Sequence, residues 1–566
     1  MDSFATLDPI TLEVVRNKLD GIANEMESTL LRSSFSPIVR EGMDASASLF
    51  TPDGETLAQA IAIPAHLAML IPIVKKFIET FPPAEAKEGD IYLMNDPYHG
   101  GTHLPDIALV QPIFFKGRVI AFAGSMTHHQ DVGGMAPGSI PTNATEIFQE
   151  GIRLPPLKLR SGNEFNETLL AILRLNTRIP ETFLGDLHAQ VASCAVGARR
   201  MNELAVTYGD HQLLAMFEEL LNRSEVMTRQ ALSKIKPGTY HYVDFLDNDG
   251  IVLDERIRIE VAVTIGDGTM HCDFTGSSPQ VRGPFNCVPS GSAAAAYFAA
   301  RVATGSDIPT NGGCFRPVTL TLPEGSIVNP KSPAAVNARS ATIKRICCNI
   351  LGALRDAVPN RVGADAAGEM LAVMFGGLRK NGTPFVVGEL IAGGSGAGPA
   401  SDGVDVIETD ATNCMNLPVE ALERDAPIRV HRTGLLADSG GPGQFRGGLG
   451  IVREYEILEG EVTFTYRGER HYCSAAGAQG GGRGGMARAV IHRADGRVET
   501  IPSKIVTQLR ARDRVVIETA GGGGFGDPTR RDAERVQTDI DNGKVSAEQA
   551  QKVWRASRLP LHSART

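Results

Sequence analysis

The chain reads as α+β: mixed sheets with helices, and a glycine-rich, β-rich C-terminal region. Three observations predict this. Before residue 385, segments with apolar residues at helical spacing occur together with β-branched or alternating runs. Beyond 385 the strand-like runs continue, interrupted by blocks of glycine. Glycine supplies 61 of 566 residues, above the usual ~7%, so tight turns and close backbone approaches are expected.

The elements follow in order. Asp8 and Pro9 suit the N-cap and first position of a helix. Ile10, Val14, Val15, Leu19, Ile22, Met26 and Leu30 continue it near helical spacing. A strand is expected over 46–51 and a helix over 66–81. Strand-like runs at 91–94, 107–115 and 118–126 are bounded by Gly, Pro, Asp and Asn. Residues 166–235 turn helical with polar faces, with helices over 183–208 and 211–234. Strands are expected at 240–245, 251–265 and 270–274, with a hairpin turn at Asn248-Asp249-Gly250. Helices over 292–303 and 341–357 come next, and the tail carries a helix over 546–557. The resulting organisation is an N-terminal α/β region with the candidate metal site (1–165), a helical region (166–236), an α+β region (237–385), a glycine-rich β-rich region (386–528) and a charged helical tail (529–566).

Composition narrows the function. The chain is 42% apolar and 21% charged, which is globular. A net charge of −9 with no long basic run argues against a nucleic-acid or anionic-membrane partner. No apolar run reaches the ~18 residues of a membrane span, and the N-terminus lacks the pattern of a signal peptide. The eight cysteines form no C-x-x-C pair. Reduced, buried thiols in a cytoplasmic protein are expected.

Chemistry concentrates in residues 95–131. Four of the thirteen histidines, His99, His103, His128 and His129, fall there, where chance places fewer than one. Asp96, Asp106 and Asp131 interleave with them. Imidazole nitrogen with carboxylate oxygen suits Zn²⁺, Mn²⁺ or Fe²⁺. His103 and Asp106 lie three apart in a turn that Pro105 keeps out of a regular helix. If 107–115 and 118–126 pair as a hairpin, the chain returns to its start and His128 arrives beside both. His128 and His129, adjacent at a strand end, point to opposite faces, so they are not both ligands. Asp44, framed by small residues before a strand, is a further candidate ligand, with a turn aspartate as the competing reading. For the whole cluster the competing reading is turn capping through hydrogen bonds to backbone.

Other motifs carry less. Residues 480–485 and 521–526 fit G-x-G-x-x-G, but neither opens a helix in a strand–turn–helix unit, so tight turns are expected. No P-loop is present. Gly394-Ser395-Gly396 lacks the register of a serine elbow. Cys347-Cys348 reads as helix core. Asn413-Cys414-Met415-Asn416 reads as a helix N-cap before a solvated face, with a polar pocket as the alternative. Arg467-Gly468-Glu469-Arg470-His471 reads as a charged loop or an interface.

The stretch Asn95-Asp96-Pro97-Tyr98-His99-Gly100-Gly101-Thr102-His103-Leu104-Pro105-Asp106 resembles the HyuB-type subunits of ATP-dependent hydantoinases and their relatives. These include 5-oxoprolinases, caprolactamase beta chains and acetone carboxylase-related subunits. The opening Asp8-Pro9-Ile10-Thr11-Leu12-Glu13-Val14-Val15 and the glycine blocks 438–450 and 521–528 extend the resemblance over almost the whole chain. Two blocks depart from the family: 467–484 is less basic and aromatic, and Ser395 stands where relatives often carry an aromatic. Both departures bear on the substrate more than on the chemistry.

The resemblance implies the metal-dependent catalytic subunit of an ATP-dependent cyclic amidohydrolase that opens a hydantoin or lactam ring. A HyuA-type partner would hold ATP and Mg and phosphorylate the amide oxygen, in a heterotetramer or larger assembly. His103, Asp106 and His128, with Asp44, correspond to the family's metal ligands, for one Zn or Mn ion or Fe. Asp96, His99, His129 and Asp131 are candidates for orienting those ligands or moving protons. Two further readings compete: a component of an ATP-dependent ketone carboxylase, and a non-catalytic structural subunit whose cluster braces a turn.

Overall fold

A computed structural model describes residues 8–554 except 62, 64, 65, 67 and 68. The first sheet contains β1 (Ala45–Phe50), β2 (Thr56–Gln59), β3 (Ile91–Met94), β4 (Asp106–Phe115), β5 (Arg118–His128), β6 (Leu157–Ser161) and β7 (Glu164–Phe165), in the order β2-β1-β5-β4-β3-β6-β7. All its pairings are antiparallel. The hairpin β4/β5 lies at its centre, closed by Lys116 and Gly117 at φ 49° and 75°. Positive φ at both positions gives a two-residue turn whose twist matches that of the strands.

The first six helices are α1 (Pro9–Ser33), α2 (Pro37–Arg40), α3 (Leu70–Thr80), α4 (Glu167–Leu175), α5 (Pro180–Tyr208) and α6 (Asp210–Leu232). The Asp8 side chain caps α1 by accepting from the Ile10 and Thr11 amides. Leu12, Leu19 and Met26 of α1 and Leu187, Cys194 and Met201 of α5 pack on Leu49, Leu109 and Ala121 of the sheet. The opposite face, with Phe50, Val110, Phe122 and Met126, shares a core with α3 and with a second sheet. That sheet has β8 (Gly238–Leu246), β9 (Ile257–Gly266), β10 (Thr269–Asp273) and β11 (Val318–Thr321), in the order β11-β10-β9-β8. Helices α7 (Pro289–Thr304) and α8 (Arg339–Leu354) complete this core.

The expected turn at Asn248-Asp249-Gly250 is a longer loop. Strands β8 and β9 do pair antiparallel, but β9 starts only at Ile257. Asp249 accepts from the amides of Ile251, Val252 and Gly283, which ties the loop to a distant segment instead of closing a hairpin.

The C-terminal half contributes β12 (Leu371–Leu378), β13 (Pro384–Ile391), β14 (Ile428–Leu435), β15 (Ile451–Ile457), β16 (Glu461–Arg467), β17 (Arg488–His492), β18 (Val498–Ile501), β19 (Lys504–Arg510) and β20 (Arg514–Glu518). They form two sheets, β13-β12-β16-β19 and β14-β15-β20-β17-β18. Val373, Phe375, Tyr455, Phe464, Ile491 and Ile517 join them in one core. Helices α9 (Val419–Asp425), α10 (Ala533–Asp541) and α11 (Ala547–Trp554) complete the described chain; positions 555–557 of the expected tail helix lie outside it.

Of the glycine blocks, 480–485 opens in the expected tight turn, with Gln479 and Gly480 at φ 49° and 90° and the Gly481 amide donating to the Ala478 carbonyl (2.9 Å), whereas 521–526 overturns the expectation. The blocks run past one another as a bundle, with 520–526 inside. Gly441 donates to the Gly522 carbonyl (2.8 Å), Gly522 to Gly448 (3.0 Å), Gly523 to Asp365 (2.8 Å) and Gly524 to Gly482 (2.9 Å), while Ala397 donates to Gly523 (2.9 Å). One stretch thus bonds to five others, whereas a strand in a sheet has two neighbours. A Cβ on Gly522 would lie 1.9 Å from the Ser395 carbonyl oxygen, and one on Gly523 2.1 Å from that of Ala476. Glycine is required there because backbone fills the side-chain position. Within 521–526 only Gly526 has positive φ.

All eight cysteines are free, seven of them buried. Among the described residues no helix is long and apolar enough to cross a membrane.

Candidate active site

Strand register builds the site. Asp106 stands opposite His128 across the hairpin, and Ala45 of β1 stands opposite Thr127. The His128 amide donates to the Asp44 carbonyl (3.1 Å), and the Asp106 amide to the His103 carbonyl (3.1 Å). Helix α8 begins over this turn and brings Arg339; β16 ends at Arg467 opposite Ala372 of β12. Together they enclose a buried cavity of about 40 Å³, with Ile63, Ile140, Ile343, Met370 and Met374 as apolar wall. Asp44, His103, Asp106 and His128 all line it.

His103 Nδ1 donates to the Asn337 carbonyl (2.9 Å). A carbonyl only accepts, so Nδ1 carries the hydrogen and Nε2 of the neutral ring is a bare lone pair. Burial, reinforced by the Arg339 charge, keeps the ring's pKa below its ordinary value. Nε2 lies 3.2 Å from Asp106 Oδ1, and among the described residues neither atom has a hydrogen-bond partner. Two buried acceptors at that separation call for a proton or cation between them. Two ligands bound to one ion at ~2.1 Å stand about 3.0–3.4 Å apart, which this pair matches.

The other oxygen of Asp106 accepts from Thr102 Oγ1 and Arg339 Nη2, which fixes the carboxylate. Burial pushes its pKa up, but His103 and Arg339 outweigh burial and hold it well below the usual range. The His128 ring lies 5.1 Å from that of His103, and its Nδ1 has no partner. Burial, then His103, holds its pKa well below normal, so this ring is neutral too. Burial and the Asp106 charge push the Asp44 carboxyl up to about 8; a nearby cation would act in the opposite sense. Among the described residues no three His, Cys, Asp or Glu side chains stand so that they could together hold a metal ion. The His103–Asp106 pair already has ligand spacing.

The remaining predicted residues do not line the cavity. Asp96 caps the turn Pro97–His99 through the Tyr98 amide and pairs with His99 Nδ1 (2.7 Å) and Arg153 (2.8 Å), with the His99 side chain half exposed. His129 faces away from His128, as alternation requires: its Nε2 meets Gln190 Oε1 at 3.0 Å and its ring packs on Phe183. Asp131 accepts from the Gly133 and Gly138 amides and pairs with Arg178 (2.9 Å). These four brace the loops around the hairpin.

Three cavity residues escaped the motif reading. His66 lines the wall with Nδ1 3.2 Å from Ser46 Oγ, and burial brings its pKa down to about 4. It stands alone in sequence, with no patterned neighbour to flag it. Arg339 opens a helix read only as apolar. Arg467 belongs to the block expected as a charged loop or interface; Arg467 ends β16 and 468–471 are a loop, but an interior one. Arg467, Glu469 and Arg470 are buried, and Glu469 pairs with Lys504 (2.5 Å) and Arg470 with Asp244 (3.0 Å). Interior partners far away in sequence make such a charge run compatible with burial. The 413–416 stretch is not a helix cap: α9 starts at Val419, and Thr412 just before the stretch lines the cavity.

A neutral histidine and an ionised aspartate thus stand paired in a cavity of an α+β protein. The chain belongs to the hydantoinase B/oxoprolinase family, matching it over residues 8–528. It is 33% identical to the beta chain of the caprolactamase of Pseudomonas jessenii, over 96% of this chain and 95% of that one. It is 32% identical to the B-type chain of a putative D-/L-hydantoinase of Pseudomonas sp. (strain NS671), over 96% and 94%. The crystal structure of the ATP-dependent caprolactamase from Pseudomonas jessenii superposes with a TM-score of 0.91 at 30% identity, covering 98% of this chain and 97% of that one. A nucleotide-free acetone carboxylase structure shares the fold, with a TM-score of 0.90 at 21% identity over 97% and 79%.

Proposed function

We propose that the chain is the catalytic subunit of an ATP-dependent cyclic amidohydrolase, opening a hydantoin or lactam ring that a HyuA-type partner has activated by phosphorylating its carbonyl oxygen. The bare acceptor pair His103 Nε2 and Asp106 Oδ1, 3.2 Å apart in a buried cavity, carries this reading. Two relatives are named as single subunits of larger enzymes, which supports a partner chain here. One divalent transition ion, Zn or Mn, would be held by His103, Asp106 and His128, with Asp44 beside them, and would polarise a carbonyl oxygen or activate water.

The chain's own residues supply the rest. Asn337 fixes the tautomer of His103, and Arg339 with Thr102 fixes Asp106, so both present lone pairs without reorganisation. The apolar wall limits bulk water, which protects a labile activated substrate until ring opening. ATP and Mg belong to the partner in this scheme.

The test is elemental analysis with activity assays. Wild-type chain should carry about one equivalent of Zn or Mn. With partner and ATP it should open caprolactam, 5-oxoproline or a hydantoin. His103→Ala should lose metal and turnover while remaining folded. Turnover by a metal-free His103→Ala variant would refute the site, and bicarbonate-dependent consumption of a ketone would replace the hydrolase with a carboxylase.

A further inference from the structure

The cavity lining carries unpartnered polar atoms of both kinds. From the hairpin come the acceptors His103 Nε2 and Asp106 Oδ1, and the ring nitrogen His128 Nδ1. Lining residues from β16 and the start of α8 add unpartnered donors. Arg467 Nε and Nη1, Arg339 Nε and the Ser340 hydroxyl are buried and make no hydrogen bond among the described residues.

Among the described residues Arg467 forms no ion pair, although the charges of Asp44, Glu469 and Glu408 favour it. Arg339 is paired with Asp106, Arg453 with Glu389 (2.5 Å) and Lys344 with Glu408 (2.8 Å). Asp44, the remaining acid of the wall, forms no ion pair with Arg467 among the described residues, although its charge favours the guanidinium. Arg467 is 5% exposed. Leaving a buried guanidinium without a partner is costly unless a ligand supplies the anion. Its planar fork of N–H groups fits two oxygens of a phosphate or a carboxylate.

We propose that Arg467, flanked by Arg339 and Ser340, is an anion subsite that receives either the phosphoryl group of the activated substrate or the carboxylate released on ring opening. This rests on the reading of the cavity as the reaction chamber. Acceptors from the hairpin and donors from β16 and α8 in one cavity would orient such a molecule, with the carbonyl carbon towards His103 and Asp106 and the anionic group towards Arg467.

Calorimetric titration of the purified full-length chain with inorganic phosphate, and separately with 6-aminohexanoate, tests the subsite without partner or ATP. Saturable binding of either probe, weakened at least tenfold in Arg467→Met and partly restored in Arg467→Lys, is the expected result. A phosphate-only response assigns the phosphoryl group, and a response to 6-aminohexanoate only assigns the product carboxylate. No binding of either probe, or equal binding by wild type and a folded Arg467→Met, overturns the subsite. If Arg467→Met fails to fold, Ser340→Ala takes its place and should weaken binding; unchanged affinity there also overturns it. His103→Ala separates the two ideas. If that variant retains turnover while phosphate binding still depends on Arg467, the His103 metal site falls and the subsite stands.

Discussion

Around the hairpin β4/β5, strands keep sheet spacing and particular side chains carry the proposed chemistry; around 520–526, backbones approach until no side chain fits. At the hairpin, His103, Asp106 and His128 are held by register and by bonds to Asn337, Thr102 and Arg339. In the bundle, Gly522 and Gly523 are held by backbone carbonyls that would stand 1.9 Å and 2.1 Å from a Cβ. The lesson is a division of tolerance. The site should lose function without losing its fold, and the bundle should lose its fold on addition of a single methyl group.

Gly522→Ala should have the largest effect. The clash is with the carbonyl of Ser395, not with the far end of a flexible side chain. Relief requires moving a segment whose own hydrogen bonds depend on the bundle. A loss of about 4 kcal/mol or more, or no folded protein, is expected in denaturant unfolding. A two-state transition with wild-type midpoint would break the comparison.

His103→Ala should rank second, with turnover falling below detection and bound metal lost. Its stability should change by only about 1–2 kcal/mol, because the substitution also removes an unsatisfied buried acceptor. A collapse in melting temperature matching that of Gly522→Ala would mean that the cluster braces the fold.

Glu27 offers an intermediate test on α1, outside both regions. Burial raises its pKa to about 8 from 4.5, and Oε1 has no partner. Between those pH values the folded state holds one proton more than the unfolded state. Stability is therefore fullest below about pH 4.5 and falls as pH rises through about 8, by a few kcal/mol in order of magnitude. Glu27→Gln should flatten that slope in denaturation curves at pH 5, 7 and 9. An unchanged slope would place the titration elsewhere.

The sequence was informative where local spacing decides structure. His103, Asp106 and His128 could be brought together from a turn, two strand-like runs and the return of the chain. The Asp8–Pro9 start of α1 and the opposite orientations of His128 and His129 were legible for the same reason. Arg467 was not, because its place is set by contacts between segments hundreds of residues apart, and His66 was not, because it has no patterned neighbour in sequence. The glycine bundle was misread as turns because G-x-G patterns look alike whether glycine supplies a positive φ or makes room for another backbone. That difference lies in the partner segments at 395, 448 and 482, which a local window does not contain.

The smallest effect provides the control for the largest. Gly434 lies in β14, an edge strand of the five-stranded sheet, with no heavy atom within 4 Å of a Cβ built on it. Its φ is not positive, so alanine fits the backbone without strain. Gly434→Ala should stabilise the protein by about 0.4–1 kcal/mol, since alanine restricts the unfolded chain more than glycine does. The substitution is chemically the same as at Gly522, so the difference between the two unfolding free energies isolates backbone crowding from the intrinsic preference of glycine. If both variants were destabilised equally, the cause would be a general cost of replacing glycine in this chain, and the bundle would not owe its composition to close approach.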